Sequence, residues 1–165
     1  MSEMTTKLSF LMDGSGEGTR PGKNFSWKAM SDGTWEFQNG MYPGRGHYIV
    51  SSYGGAAGRA GYVDHELRVG YVMGVRGGQC WKVSEGTDTG FDCFGIAMGW
   101  YDDTDGVFVQ GTGVIKGLHT RWVPGGRVVV PALYGLPEQP TRRRQPTVLG
   151  IAKNERDLLL LPQLV

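Results

Sequence analysis

Apolar residues in this chain recur mainly at alternate positions in short runs, and glycine, proline and small polar residues break the runs. A period of two predicts strands joined by tight turns, and no stretch carries a convincing amphipathic helix. One phrase occurs twice. Phe94-Gly95-Ile96-Ala97 crosses a polar turn, Tyr101 to Gly106, into Val107-Phe108-Val109; Leu149-Gly150-Ile151-Ala152 crosses Lys153 to Asp157 into Leu158-Leu159-Leu160-Leu161. Each copy predicts a strand, a turn and a returning strand. Between them, Val107 to Leu118 reads as one long strand with Gly111, Gly113 and Gly117 on one face, as a bending barrel strand requires. Pro124-Gly125 suits the centre of a type II turn leading into Arg127-Val128-Val129-Val130, which Pro131 stops. Upstream, Glu66 to Val75 reads as one or two strands with a glycine kink, and Gln79 to Val83 with Phe91 to Ala97 as a hairpin. Residues 131 to 147 form a loop stiffened by Pro131, Pro137, Pro140 and Pro146.

The first sixty residues are less regular. Phe25-Ser26-Trp27 and Thr34-Trp35-Glu36-Phe37 alternate as short strands do, beside the turn signals Ser31-Asp32-Gly33 and Gln38-Asn39-Gly40. Glycine-rich stretches at Asp13 to Gly22 and Tyr53 to Gly61 flank these islands. The expected organisation is therefore an extended glycine-rich arm with short strands, residues 1–61, followed by an all-β domain, residues 62–165, built as a small β-barrel or a β-tulip or sandwich. The aromatics of the arm either dock onto a partner or pack back on their own domain; the pattern leaves both open.

Composition narrows the class. With 165 residues the chain can bury one core. Its 28 glycines lack a collagen period, and its aromatics are spread throughout, unlike a disordered chain. A formal net charge of +1 supplies no field for nucleic acid or an anionic membrane, and no apolar run approaches the length of a membrane span. The start, Met1 to Lys7, lacks the basic and apolar regions of a signal peptide, so synthesis in a cytosol is expected. Cys80 and Cys93 flank the turn Ser84 to Gly90 symmetrically; they read as two small buried thiols, with a disulfide only if the protein later meets an oxidising exterior.

Candidate chemistry is sparse. Asp102, Asp103 and Asp105 before Gly106 resemble a calcium-loop fragment without its closing glutamate, and a hairpin turn would choose the same residues. Asp64-His65-Glu66 has no nucleophile in a recognisable setting, and no phosphate loop, dinucleotide fingerprint or zinc spacing is present. No catalytic residue, cofactor or metal is therefore expected. Arg142-Arg143-Arg144 is a solvated loop or a grip for an acidic protein surface. The five tryptophans suit core or interface anchors, or sugar stacking in a carbohydrate- or receptor-binding module. Leu158 to Leu161 has no alternation, so both faces of that strand need cover, and a second copy of the chain is one source of it.

From Tyr62 to about Gln163 the chain resembles the head-decoration, or capsid-cement, proteins of tailed bacteriophages. The resemblance is carried by the Gly95-Ile96-Ala97 strand and Val109 to Leu118. The Pro124-Gly125 turn, Tyr134-Gly135-Leu136-Pro137, Leu149 to Ala152 and the leucine strand follow in the same order. It implies a non-catalytic β-barrel or β-tulip virion protein, made in a host cytoplasm. Such proteins sit on the outer capsid surface as homotrimers that cement neighbouring major capsid subunits. On that reading Phe25, Trp27, Trp35, Phe37, Arg142, Arg143 and Arg144 are capsid-contact candidates. Leu158, Leu159, Leu160 and Leu161 are trimer-interface candidates, with Leu158 and Leu160 on one face and Leu159 and Leu161 on the other. No nucleic acid or membrane partner is implied. The chain departs from the shorter members in its first sixty residues and its arginine-bearing loop.

Overall fold

A computed structural model of the protein describes residues 17–19, 25–54, 67–101, 106–141 and 146–162. Among them the chain is nearly all β, with a 3-10 turn at Glu85–Thr87. The strands are β1 (Glu17–Thr19), β2 (Ser26–Ala29), β3 (Trp35–Gln38), β4 (Gly44–Gly46), β5 (Tyr48–Tyr53), β6 (Val72–Arg76), β7 (Gln79–Lys82), β8 (Cys93–Tyr101), β9 (Gly106–Gln110), β10 (Gly113–Ile115), β11 (Arg127–Val129), β12 (Val148–Ala152) and β13 (Leu158–Leu160). They assemble into two units. An eight-stranded antiparallel sheet has the order β1-β2-β3-β4-β10-β13-β12-β11, and β5-β7-β6-β8-β9 close into a five-stranded barrel. The barrel shuts through a short parallel contact, Ser52 opposite Gln79 and Tyr53 opposite Cys80.

Both copies of the repeated phrase are antiparallel hairpins, β8 with β9 and β12 with β13. Their shared glycine has the same use. A Cβ on Gly95 would stand 2.3 Å from the Gln110 carbonyl oxygen, and one on Gly150 1.9 Å from that of Leu159. Only glycine lets the returning strand lie so close. The Pro124-Gly125 turn also forms: Gly125 has φ +80°, and the Gly126 amide donates to the Val123 carbonyl at 3.1 Å.

Three expectations from the sequence are corrected. Val107 to Leu118 is not one strand. It breaks at Gly111-Thr112, with β9 in the barrel and β10 in the sheet. Gln79–Val83 and Phe91–Ala97 are not a hairpin either. β6 lies between β7 and β8, and its Val75 is opposite both Cys80 and Cys93, so the thiols sit on either side of β6. The local reason is Gly77-Gly78, with φ +57° and +81°, a two-residue turn that folds β7 directly back on β6. Finally, the described part of residues 1–61 is not an arm. β2, β3 and β4 continue the sheet into β10, and β5 is a barrel strand beside β9. Burial explains this: the short islands are too small to bury themselves, and the rest of the chain supplies the covering surface.

Side-chain alternation along the barrel strands feeds two clusters. One set, including Tyr48, Val50, Val72, Phe94, Ile96, Met98 and Phe108, packs against sheet residues such as Phe37, Ile115, Leu158 and Leu160. The other, including Tyr53, Met73, Val75, Cys80, Ala97, Val107 and Val109, is drawn from barrel strands together with Leu67. Barrel strands covered on both sides explain why β9 is buried at every position.

The chain passes between barrel and sheet twice at one place, from β4 to β5 through His47 and from β9 to β10 through Gly111-Thr112. The crossings lie back to back. A Cβ on Gly46 would fall 1.7 Å from the Thr112 carbonyl oxygen, and one on Gly113, at φ +95°, would fall 2.0 Å from that of Arg45. Gln110, fully buried, ties them together. Its Oε1 accepts from the Tyr48 hydroxyl, and its Nε2 donates to the carbonyls of Thr112 (3.0 Å) and Val114 (3.2 Å). Replacing Gln110 with leucine would leave the buried Tyr48 hydroxyl unpaired and strip both carbonyls of a donor. We expect a loss of about 2–4 kcal/mol in urea denaturation, since each orphaned buried group costs about 1–3 kcal/mol. Gly46→Ala should cost at least as much, because only backbone movement can relieve its contact.

Candidate functional site

The inner face of the eight-stranded sheet is spent on the barrel; the outer face is the candidate site. Its composition follows from register. Lys28 is opposite Glu36, Glu36 opposite Arg45, Arg45 opposite Val114, Val114 opposite Leu159, Leu159 opposite Ile151 and Ile151 opposite Arg127. This row crosses seven strands. It alternates in charge over β2–β4, becomes apolar over β10, β13 and β12, and ends in a cation on β11. The core residues occupy the alternate positions: Trp27, Phe37, Ile115, Leu158, Leu160 and Val128 are all buried. Val114, Leu159 and Ile151 are half-buried, and Leu161, just past β13, is 41% exposed.

Leu158 and Leu160 thus point into the core, and Leu159 and Leu161 away from it. The capsid-contact candidates fare differently. Phe25, Trp27 and Phe37 belong to the main core, packed ring against ring with one another and with Phe108 at centroid distances of 5.3–6.5 Å, and cannot present themselves to a partner. Trp35 is half-buried against the same cluster. They are core because β2 and β3 are interior strands with one face on the barrel. Arg142, Arg143 and Arg144 lie outside the described residues, as do Asp102, Asp103, Asp105 and the Asp64-His65-Glu66 cluster. Trp122 is buried too, stacked on His119 at 5.1 Å, so Trp27 and Trp122 are not available as sugar platforms.

The charged half of the face is organised. The Arg45 guanidinium pairs with Asp32 at 3.1 Å and also donates to the Thr34 hydroxyl. The Thr34 hydroxyl and amide, and then Arg45, hold the Asp32 carboxyl down at about 2. Two residues along from the Val114-Leu159-Ile151 row, the register brings Lys116 and Lys153 to either side of Asp157. The Lys116 amide donates to Pro43 and the Lys153 amide to the Asp157 carbonyl. The Asp157 carboxylate accepts from the Gly117 amide (3.0 Å) and the Asn154 side chain (2.9 Å), and these bonds with the two lysines lower its pKa against the opposing effect of burial. At the other end of the groove between these residues, His47 Nδ1 meets the Thr112 hydroxyl at 3.0 Å. Among the described residues, no group of three or more His, Cys, Asp or Glu side chains could hold a metal ion.

Sequence reasoning missed Arg45, Val114, Lys116, Ile151 and Lys153 as members of one surface. Their convergence depends on the β4–β10 pairing, which joins residues nearly seventy positions apart and leaves no local trace.

Comparisons with models of known protein families, with characterised proteins and with solved structures give no match.

Two outcomes are expected. The depressed Asp32 carboxyl contributes stability that is full above its unfolded value near 3.8 and is lost as pH falls through about 2. A carboxyl-carbon NMR titration should place its midpoint near 2, and Thr34→Val should move it up towards 3.8. Burial pushes the Cys80 thiol far up; Cys93, half-buried beside Asp92, is raised less. A maleimide should therefore label Cys93 slowly in the native protein and Cys80 only after unfolding. Equal labelling would contradict the buried placement of Cys80.

Proposed function

We propose that this chain is a non-catalytic structural binding protein of the capsid-decoration class, and that it seats on its partner through the outer face of the eight-stranded sheet. The observation that carries this reading is the half-buried apolar run Val114-Leu159-Ile151, continued by Leu161 and bounded in its own row by Arg45 and Arg127. An apolar centre with a polar, charged margin is the anatomy of a protein interface. The barrel covers the other side of the same strands, so this face is the one left for a neighbour. The order of motifs from Gly95 to Leu161 supports the class, with the major capsid protein as partner and the virion exterior as its place.

The reading assigns Leu159 and Leu161 to contact, either with capsid or with neighbouring copies in a homotrimer. Leu159→Asp puts an unpaired charge into that contact, a cost of several kcal/mol, while the half-exposed position lets the monomer fold. Sedimentation with assembled tailed-phage capsids from the source of this chain is the test. Wild type should pellet with capsids, and Leu159→Asp should bind about 100-fold more weakly or not at all, with an unchanged far-ultraviolet spectrum. Undiminished binding by Leu159→Asp and Leu161→Asp would remove this face from the reading. Light scattering on the free protein then assigns the leucines: a trimer mass lost in Leu159→Asp marks them as self-contacts, and a monomer mass in both marks them as capsid contacts.

A further inference from the structure

The polar half of the same face carries a second inference, one that does not depend on the capsid reading. A groove of about 1070 Å³ lies over β2, β3, β4 and β10, and Lys153 reaches it from the β12–β13 turn. These four are interior strands, each paired on both sides, so their backbone donors and acceptors are taken by the ladders. An extended peptide cannot add to the sheet here; recognition falls to side chains.

Those side chains suit a hydroxyl-rich ligand. Ser26 and Gln38 can each donate and accept, Glu36 accepts, and Lys28 donates, while the Thr34 hydroxyl is engaged with Asp32 and Arg45 and that of Thr112 with His47. Trp27 and Phe37 line the floor only from the core, 5% and 1% exposed, so no aromatic face is open for stacking. Affinity must come from hydrogen bonds and charge, and charge selects an acid. Four cations, Lys28, Arg45, Lys116 and Lys153, line the groove against one carboxylate, Glu36. Asp32 engages Arg45, and Asp157 lies between Lys116 and Lys153, which leaves an excess of one positive charge. The Asp157 oxygens are turned to the Gly117 amide, beyond the end of β10, and to Asn154 in its own turn. A single positive excess favours a sparsely charged acid. A densely sulfated chain or a nucleic acid would press anions against Glu36 and Asp157.

We propose that this groove binds an acidic oligosaccharide, a uronate-bearing chain whose hydroxyls meet Ser26 and Gln38 and whose carboxylate is held by Lys116 and Lys153. The test is NMR titration of the full chain with xylotriose bearing a single glucuronate, with neutral xylotetraose and with a glutamate-bearing peptide of similar length. The acidic sugar should shift the amides of Arg45 to His47 and Thr112 to Lys116 and bind more tightly than the other two. Lys116→Ala and Lys153→Ala should each weaken it about two- to fivefold, the scale of one exposed ion pair, and raised salt should weaken it similarly. Arg121→Ala, exposed outside the groove, should leave affinity unchanged. Equal binding of the neutral sugar would overturn the assignment, as would tighter binding of the peptide. Absence of shifts at these amides, or indifference to both lysine substitutions, would equally overturn it.

Discussion

Gln110 stands where the chain leaves the barrel and enters the sheet, and the fold depends on that crossing being both tight and dry. Two connections pass each other there, and their carbonyls would face an apolar core without a donor. One amide side chain meets the need: it takes the Tyr48 hydroxyl on one end and gives its two N–H groups to Thr112 and Val114 on the other. Burial pushes the Tyr48 phenol well above its ordinary pKa, which favours the protonated form that donates to Gln110. The glycines at 44, 46 and 113 let the strands close around this amide; a Cβ on Gly44 would collide with Gln110 itself. Polar satisfaction and steric room are thus one constraint, since either alone would leave the other group unusable.

What the crossing secures is the pairing of β4 with β10, and that pairing makes a single sheet of two halves. The N-terminal half is polar and charged on its outer face over β2 to β4; the C-terminal half is apolar there over β10, β13 and β12. Neither half would have a fixed relation to the other without residues 44–46 lying against 113–115. The face with both a charged groove and an apolar band is therefore a product of the core, and a change at Gln110 would reach the surface through the register.

Legibility followed the range of the interactions. The two hairpins built on Gly95 and Gly150, the Pro124-Gly125 turn and the all-β class rest on neighbours within about fifteen positions, and periodicity carries them. Gly77-Gly78 was also local, a two-residue hairpin signal, yet the symmetric placement of Cys80 and Cys93 about a later turn drew attention to the wrong pairing. The first sixty residues misled for a different reason. Phe25, Trp27 and Phe37 look like exposed anchors in a glycine-rich setting because the surfaces that bury them, Tyr48 and Phe108, lie on strands of the other unit. The break at Gly111-Thr112 has the pattern of a continuous strand, and only a lone glutamine in an apolar run marks it.

The leucine strand shows how far a sequence argument can go when its premise is physical. Four consecutive leucines require cover on both faces, and the core takes Leu158 and Leu160 while Leu159 continues an apolar row with Val114 and Ile151. That row does not favour a partner identical and two-fold related about Leu159, since such an axis would set Arg45 of one copy against Arg127 of the other across an apolar contact. Like charges so placed repel. A rotational arrangement of higher order, or a different protein with acidic margins, avoids the clash. The distribution of arginines around the leucines therefore constrains the symmetry of any self-association more tightly than the leucines do.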